Sequence, residues 1–183
     1  MYNNSSIKIS VDNAYSKYRI EVLDKILIFN SKKIVSKKFP LVDNKCGTFF
    51  HIITRNAEDK RGNLTQLPCH KTLCNHKCTY YFTYNPLIND PKEKRSICPH
   101  RLDNSVILKN FFTQSHLKVW SKNIGTVKGR RNRVLFLDDI KNYLIILDER
   151  STYYMLWTGY PIETNDRMNK FLREYANSKN KLK

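Results

Sequence analysis

Between residues 134 and 157 the apolar side chains come in three short runs: VLFL at 134–137, YLIIL at 143–147 and YYMLW at 153–157. Each run is rich in β-branched and aromatic residues and too short for a helix. The polar stretches DDIKN (138–142) and DERST (148–152) supply turn-favouring side chains between them, so the pattern predicts an antiparallel β-meander. Uninterrupted apolar runs belong to strands covered on both faces, and the cover must come from the flanking segments. Downstream, Met168, Phe171, Leu172 and Tyr175 recur at helical spacing within 165–175, which predicts an amphipathic closing helix, with a frayed basic tail over 178–183.

Upstream the periodicities are shorter. Residues 7–11 alternate apolar and polar and predict a short strand, while Ile20, Leu23, Ile26 and Leu27 predict a helix over 18–29 that runs on towards Val35. The run GTFFHIIT at 47–54 predicts a strand that delivers His51 and Arg55. Val106, Ile107, Asn110, Phe111 and Phe112 give a helical apolar face from Ser105 onwards, with Asp103 or Asn104 as its N-cap. Residues 117–120 alternate as a further strand, and 124–129 form a basic loop with two glycines. The fold expected is α+β: a mostly antiparallel sheet of four to five strands, covered by helices and interrupted by a Cys/His-rich insert. Residues 1–183 form a single domain, with an N-terminal helical segment at 1–45, the insert at 61–101, and helix, meander and closing helix at 102–178.

Composition sharpens this. The chain has 183 residues, 40% of them hydrophobic, enough for a core, and no run approaches the ~18 apolar residues of a membrane span. No charged-then-apolar leader opens it, so a cytoplasmic location away from membranes is expected. Lysine and arginine total 33 against 16 acidic residues, a net charge of +17, which favours a polyanion and makes RNA or DNA the expected partner. The excess is uneven, with eleven Lys or Arg and two acids between Lys92 and Arg133. A basic stripe beside a sheet is a phosphate track in outline.

The cysteines cluster as well. Cys69, Cys74, Cys78 and Cys98 bracket the insert, with His70, His76 and His100 among them. In a reducing compartment such a group points to a structural Zn²⁺ ion rather than to disulfides, with Cys98 or one of the histidines as fourth ligand. Cys46 stands apart and reads as a core thiol.

FHIITR at 50–55, the CPHR and ILKNFF strings, LKVW at 117–120, RRNR at 130–133, YLIILDER and LWTGYPI together resemble the barnase, EndoU, colicin and RelE group of small nucleases, in the branch associated with phages and mobile elements. The resemblance covers about 47–175 and rests on order and spacing. It implies a toxin-like or phage-encoded, metal-independent endoribonuclease in which the ribose 2′-hydroxyl attacks the adjacent phosphate. On that reading His51 is the acid or base, Arg55 and Arg101 clamp the phosphate, and Thr158 and Tyr160 donate hydroxyls to it. Arg130, Arg131, Arg133 and Lys118 bind nucleic acid and Tyr143 stacks on a base. An acidic antitoxin or immunity protein is an implied partner. Gly159 stands where relatives more often have alanine, a difference expected to be harmless. Two other readings fit the same residues: a zinc-stapled nucleic-acid-binding protein without catalysis, and a nuclease-fold inhibitor of a host factor.

Overall fold

The computed structural model describes residues 4–37, 41–42, 44–56, 73, 95–105, 111–126, 129–178 and 181–182. The chain opens with helix α1 (Asn4–Tyr18), a π-helical turn (Arg19–Leu23) and the strands β1 (Leu27–Phe29), β2 (Lys32–Ser36), β3 (Leu41–Val42) and β4 (Lys45–Cys46). Helix α2 (Gly47–Ile53), β5 (Thr54–Asn56), β6 (Arg95–Ile97) and helix α3 (Pro99–Asp103) follow. The meander comprises β7 (Lys118–Thr126), β8 (Gly129–Asp138), β9 (Tyr143–Glu149) and β10 (Tyr153–Pro161), before helix α4 (Asn165–Asn177) and β11 (Lys181–Leu182).

The architecture is α+β, as expected, but the sheet is larger and mixed. Seven strands lie in the order β1-β2-β10-β9-β8-β7-β11, and β2 runs parallel to the first half of β10. Both expected edges are therefore extended, one by the β1–β2 hairpin and the other by β11, which pairs with β7 where a frayed tail was expected. The apolar meander is covered on both faces. Val134, Phe136, Tyr143, Ile145 and Leu147 face a core built from α1, α2 and α3, whereas Leu135, Leu137, Leu144 and Trp120 face α4 through Met168 and Phe171.

Several upstream expectations are corrected. Residues 7–11 are helical: Ile7, Val11, Ala14 and Tyr18 are buried at helical spacing, whereas Ile9, which completed the apparent alternation, is 62% exposed. The helix expected from residue 18 towards Val35 gives way to the π-helical turn and then to the β1–β2 hairpin. Asn30 and Ser31 form its two-residue loop with φ of 45° and 62°, the left-handed geometry that suits a tight hairpin. Residues 47–53 form α2 instead of a strand. Thr48, Phe49, Phe50, Ile52 and Ile53 are all buried, so this helix is apolar nearly all round and shows no amphipathic period. Residues 99–103 are themselves helical, which places Asp103 at the end of α3 and Asn104 at its C-cap rather than at a helix start. The rest of the helix expected beyond Ser105 falls on 106–110, outside the described residues, and 111–113 form a 3₁₀ turn. The expected loop at 124–129 is strand at 124–126 and at Gly129. Cys46 is a core thiol, as expected.

The hydroxyl of Tyr143 is buried without a hydrogen-bond partner among the described residues, and a Cβ added at Gly159 would meet it at 3.2 Å. Tyr143→Phe is expected to leave stability unchanged or raise it by about 1 kcal/mol, because an unsatisfied buried polar group is removed. Gly159→Ala, harmless by resemblance, is expected to cost about 1 kcal/mol, and less in the Tyr143→Phe background. Urea unfolding of the two single variants and the double variant checks this coupling.

Candidate functional site

Strand β10 changes faces midway. Tyr154 and Leu156 pack into the core beneath α1, α2 and α3, whereas Tyr160 packs beneath α4, although all three share one parity along the strand. A β-bulge between Leu156 and Thr158 makes the difference: Trp157 is the extra residue, displaced from the ladder and 37% exposed. Two side chains flank it. The Arg133 guanidinium lies 4.7 Å from the centre of the indole ring, and the His51 ring, from the last turn of α2, meets it edge-on at 6.4 Å. An imidazole, an indole and a guanidinium thus gather where the chain breaks its own register.

Beneath Arg133 lies a buried carboxylate. Asp148, opposite Arg133 in the β8–β9 register, has no exposed surface, and its Oδ1 accepts a 2.8 Å hydrogen bond from Arg133 Nε. Its Oδ2 faces Arg131 Nη1 at 3.6 Å and Arg150 Nη2 at 3.5 Å. Three guanidinium groups share one carboxylate, which leaves a surplus of positive charge. Their side chains are 20–31% exposed, so that surplus faces solvent.

The structure brings only part of the expected set to this point. His51, Arg131 and Arg133 are here, and Arg130 lies on β8 opposite Gly125. Arg101 is committed elsewhere: Nη1 donates to the Thr54 carbonyl at 2.7 Å, Nε lies 3.5 Å from Glu163 Oε1, and the guanidinium sits 5.2 Å from the Tyr160 ring. It ties α3 to β5 and to the end of β10, with Nε buried and without a hydrogen-bond partner among the described residues. Arg55 is half-buried on β5, next to the residue whose carbonyl Arg101 holds. Thr158 is 5% exposed, and Tyr160, 8% exposed, accepts a hydrogen bond from Arg167 Nη2 at 3.1 Å. Lys118 is paired with Asp139 at 2.7 Å, a bond that holds the Asp139 carboxyl below its ordinary range. It sits opposite Leu137, four residues along β8 from Arg133, about 13 Å away. Tyr143 is corrected outright: it is fully buried, burial pushes its phenol well above the usual range, and no ring face is open to a base.

Of the candidate zinc ligands, Cys69, Cys74 and Cys78 lie outside the described residues, as does most of the insert. Cys98 occupies the N-cap of α3, and burial pushes its thiol up to about 11. An unfolded cysteine ionises near pH 8.5, so the unfolded chain loses this proton first. The stability due to keeping the thiol neutral is complete below that pH and declines as pH rises towards 11, by up to about 2–3 kcal/mol. Urea midpoints are expected to fall between pH 8 and 10.5, and to fall less in Cys98→Ala.

Trp157, Asp148 and Arg150 carry the site but were not among the residues expected from sequence. The tryptophan stood in the LWTGYPI string, yet a bulge leaves no mark in composition, and Asp148 and Arg150 read as turn residues. Among the described residues no helix is long and apolar enough to cross a membrane, and no three His, Cys, Asp or Glu side chains gather as metal ligands. Comparison of the chain with protein-family models, curated proteins and solved structures finds no match.

Proposed function

We propose that the chain is a metal-independent endoribonuclease whose site is the surface around Trp157. The observation that carries this reading is the triple arginine cluster on buried Asp148, with Arg133 reaching from it to the indole and His51 at the indole's edge. An exposed indole suits stacking on an unpaired base, and surplus guanidinium charge suits the phosphate that follows it. The imidazole supplies proton transfer near neutral pH. In the reaction proposed, the 2′-oxygen loses its proton and bonds to phosphorus. The P–O5′ bond breaks, the 5′-oxygen takes up a proton, and the other product ends in a 2′,3′-cyclic phosphate. Arg131, Arg133 and Arg150 stabilise the charge that builds on the phosphoryl oxygens, and His51 carries one of the two proton transfers.

The proposal includes a structural zinc ion in the 61–101 segment, on Cys69, Cys74 and Cys78 with Cys98 or one of His70, His76 and His100 as fourth ligand. If Cys98 is that ligand, zinc must displace a firmly held proton. Elemental analysis of the purified protein is expected to find one zinc per chain; a zinc-free folded protein would sink this part.

A second reading, nucleic-acid binding without cleavage, draws support from the commitment of Arg101 and Tyr160 to internal partners. The two separate on substrate chemistry. In EDTA the protein is expected to cut single-stranded RNA but not the same sequence carrying 2′-O-methyl groups, because the attacking hydroxyl is blocked. Cleavage of both, or a strict need for added metal, would refute the proposed route; binding with no cleavage of either would favour the second reading.

A further inference from the structure

The α4 face of the sheet is built in rows across the strands, and their chemistry changes from one row to the next. Lys122, Arg133 and Asp148 stand opposite one another in register, with Ile124 opposite Arg131 one row outward. One row inward, Leu135 stands opposite Ile146. Helix α4 covers the apolar rows, where Met168 and Phe171 pack, and leaves a cleft where these rows meet the charged ones. The cleft measures about 570 Å³, within the range of small-molecule sites. Its floor is Ile124, Leu135 and Ile146 with Phe171, and Tyr160 closes one side. Lys122, Arg133, Arg167 and Lys170 supply cations around it, against two acids, Asp166 and Glu174. Lys122 and Glu174 pair at 2.7 Å and Arg133 is held by Asp148 at 2.8 Å, so the surplus charge comes from Arg167 and Lys170 against Asp166. Arg167 and Lys170 lie one turn apart on α4 and both are exposed.

We infer that this cleft holds one nucleotide unit of a single-stranded RNA, with the base on the apolar floor and its phosphate among Arg133, Arg167 and Lys170. Charge complementarity selects an anion, and the apolar floor selects a ligand that carries a flat uncharged part. Neighbouring rows lie about 7 Å apart along the strand, comparable to the separation of a phosphate from its own base. Continuity selects a strand over a free nucleotide, because Arg133 lines the cleft and also reaches Trp157 and Asp148. A chain seated at Trp157 enters the cleft with its next units. The bases in both places must be unpaired, which makes the substrate single-stranded. This inference rests on the ribonuclease reading for the identity of the ligand and not for the existence of the site.

The test uses a 2′-O-methyl RNA tetramer, which cannot be cut by 2′-hydroxyl attack, so that binding is read whether or not the protein is a nuclease. Lys170→Glu is expected to weaken the tetramer by about tenfold at low salt and to reduce the slope of log K against log salt by about one. Ile146→Trp, which fills the floor, is expected to weaken it by a similar factor with the slope unchanged. Lys17→Glu, on α1 across the sheet, serves as the control for general charge and is expected to stay within about twofold, since one remote charge is largely screened. The tetramer is expected to outcompete a nucleoside monophosphate, and the monophosphate to outcompete inorganic phosphate. The cleft is ruled out as the site if Lys170→Glu matches Lys17→Glu, if Ile146→Trp binds normally in a folded state, or if inorganic phosphate competes as well as the monophosphate. A monophosphate that binds as tightly as the tetramer would overturn the strand assignment. Intact unmodified RNA would refute the nuclease reading alone and leave these outcomes in force.

Discussion

Replacing His51 with alanine is expected to lower RNA cleavage by about 100- to 10,000-fold, the usual worth of a positioned proton-transfer group, while RNA affinity stays within a few-fold. The separation follows from where the charge sits. On the proposed reading, binding draws on Arg131, Arg133 and Arg150, which meet on Asp148. His51 touches the site through the edge of Trp157 at 6.4 Å, a ring contact whose loss costs packing. A drop of this size corresponds to about 2.7–5.5 kcal/mol in the barrier, well beyond what a lost ring contact contributes. His51→Phe keeps the ring and removes the proton carrier, so its cleavage is expected to match that of His51→Ala. Recovery of cleavage in His51→Phe would assign the histidine a packing role. Single-turnover cleavage and anisotropy binding, run on the same preparations, measure the two effects separately.

The largest effect on stability is expected at Asp148. Asp148→Asn keeps the shape of a fully buried side chain and removes the one negative charge that three arginines share. Breaking a buried pair from one side costs about 3–5 kcal/mol; the arginines are partly exposed and gain some hydration, which reduces the expectation to about 2–4 kcal/mol. For a chain of this length that is a fall in Tm of about 4–16 °C. RNA affinity at low salt is expected to hold or rise, since the variant carries more net positive charge. Calorimetry checks the first part; a Tm within a degree of the parent protein would show that the arginines do not need this counter-charge.

The parts of the fold that were legible in sequence are those whose pattern is long and whose cover is two-sided. The meander and α4 came through, with Met168, Phe171, Leu172 and Tyr175 on the core side of α4. Short windows misled. Five residues from Ile7 to Val11 alternate, but the buried set continues to Ala14 and Tyr18, and only that longer reach shows the helix. Helix α2 was hidden for the opposite reason, since burial on nearly every side leaves no period to detect. The parallel pairing of β2 with β10 is a tertiary choice with no local signature.

The site divides in the same way. Arg131 and Arg133 stood out because they lead directly into an apolar run. Asp148 could not, because it becomes their partner only once β8 and β9 are set in register. Trp157 depends on the bulge, which appears only once β10 is set against β9. Tyr143 was misassigned because an aromatic at the start of a strand reads alike whether it points to solvent or into the core; here it is fully buried.

The central claim, that the surface around Trp157 cleaves RNA through its own 2′-hydroxyl, is tested most directly by the end groups of the products. Single-stranded RNA is incubated with the protein in EDTA, beside His51→Ala, and the fragments are weighed by mass spectrometry. Fragments ending in 2′,3′-cyclic phosphate from the parent protein, and intact RNA from the variant, are the predicted result. RNA left whole by a parent protein whose circular dichroism in EDTA is that of the folded state, or cut to linear phosphate ends from the outset, would contradict it.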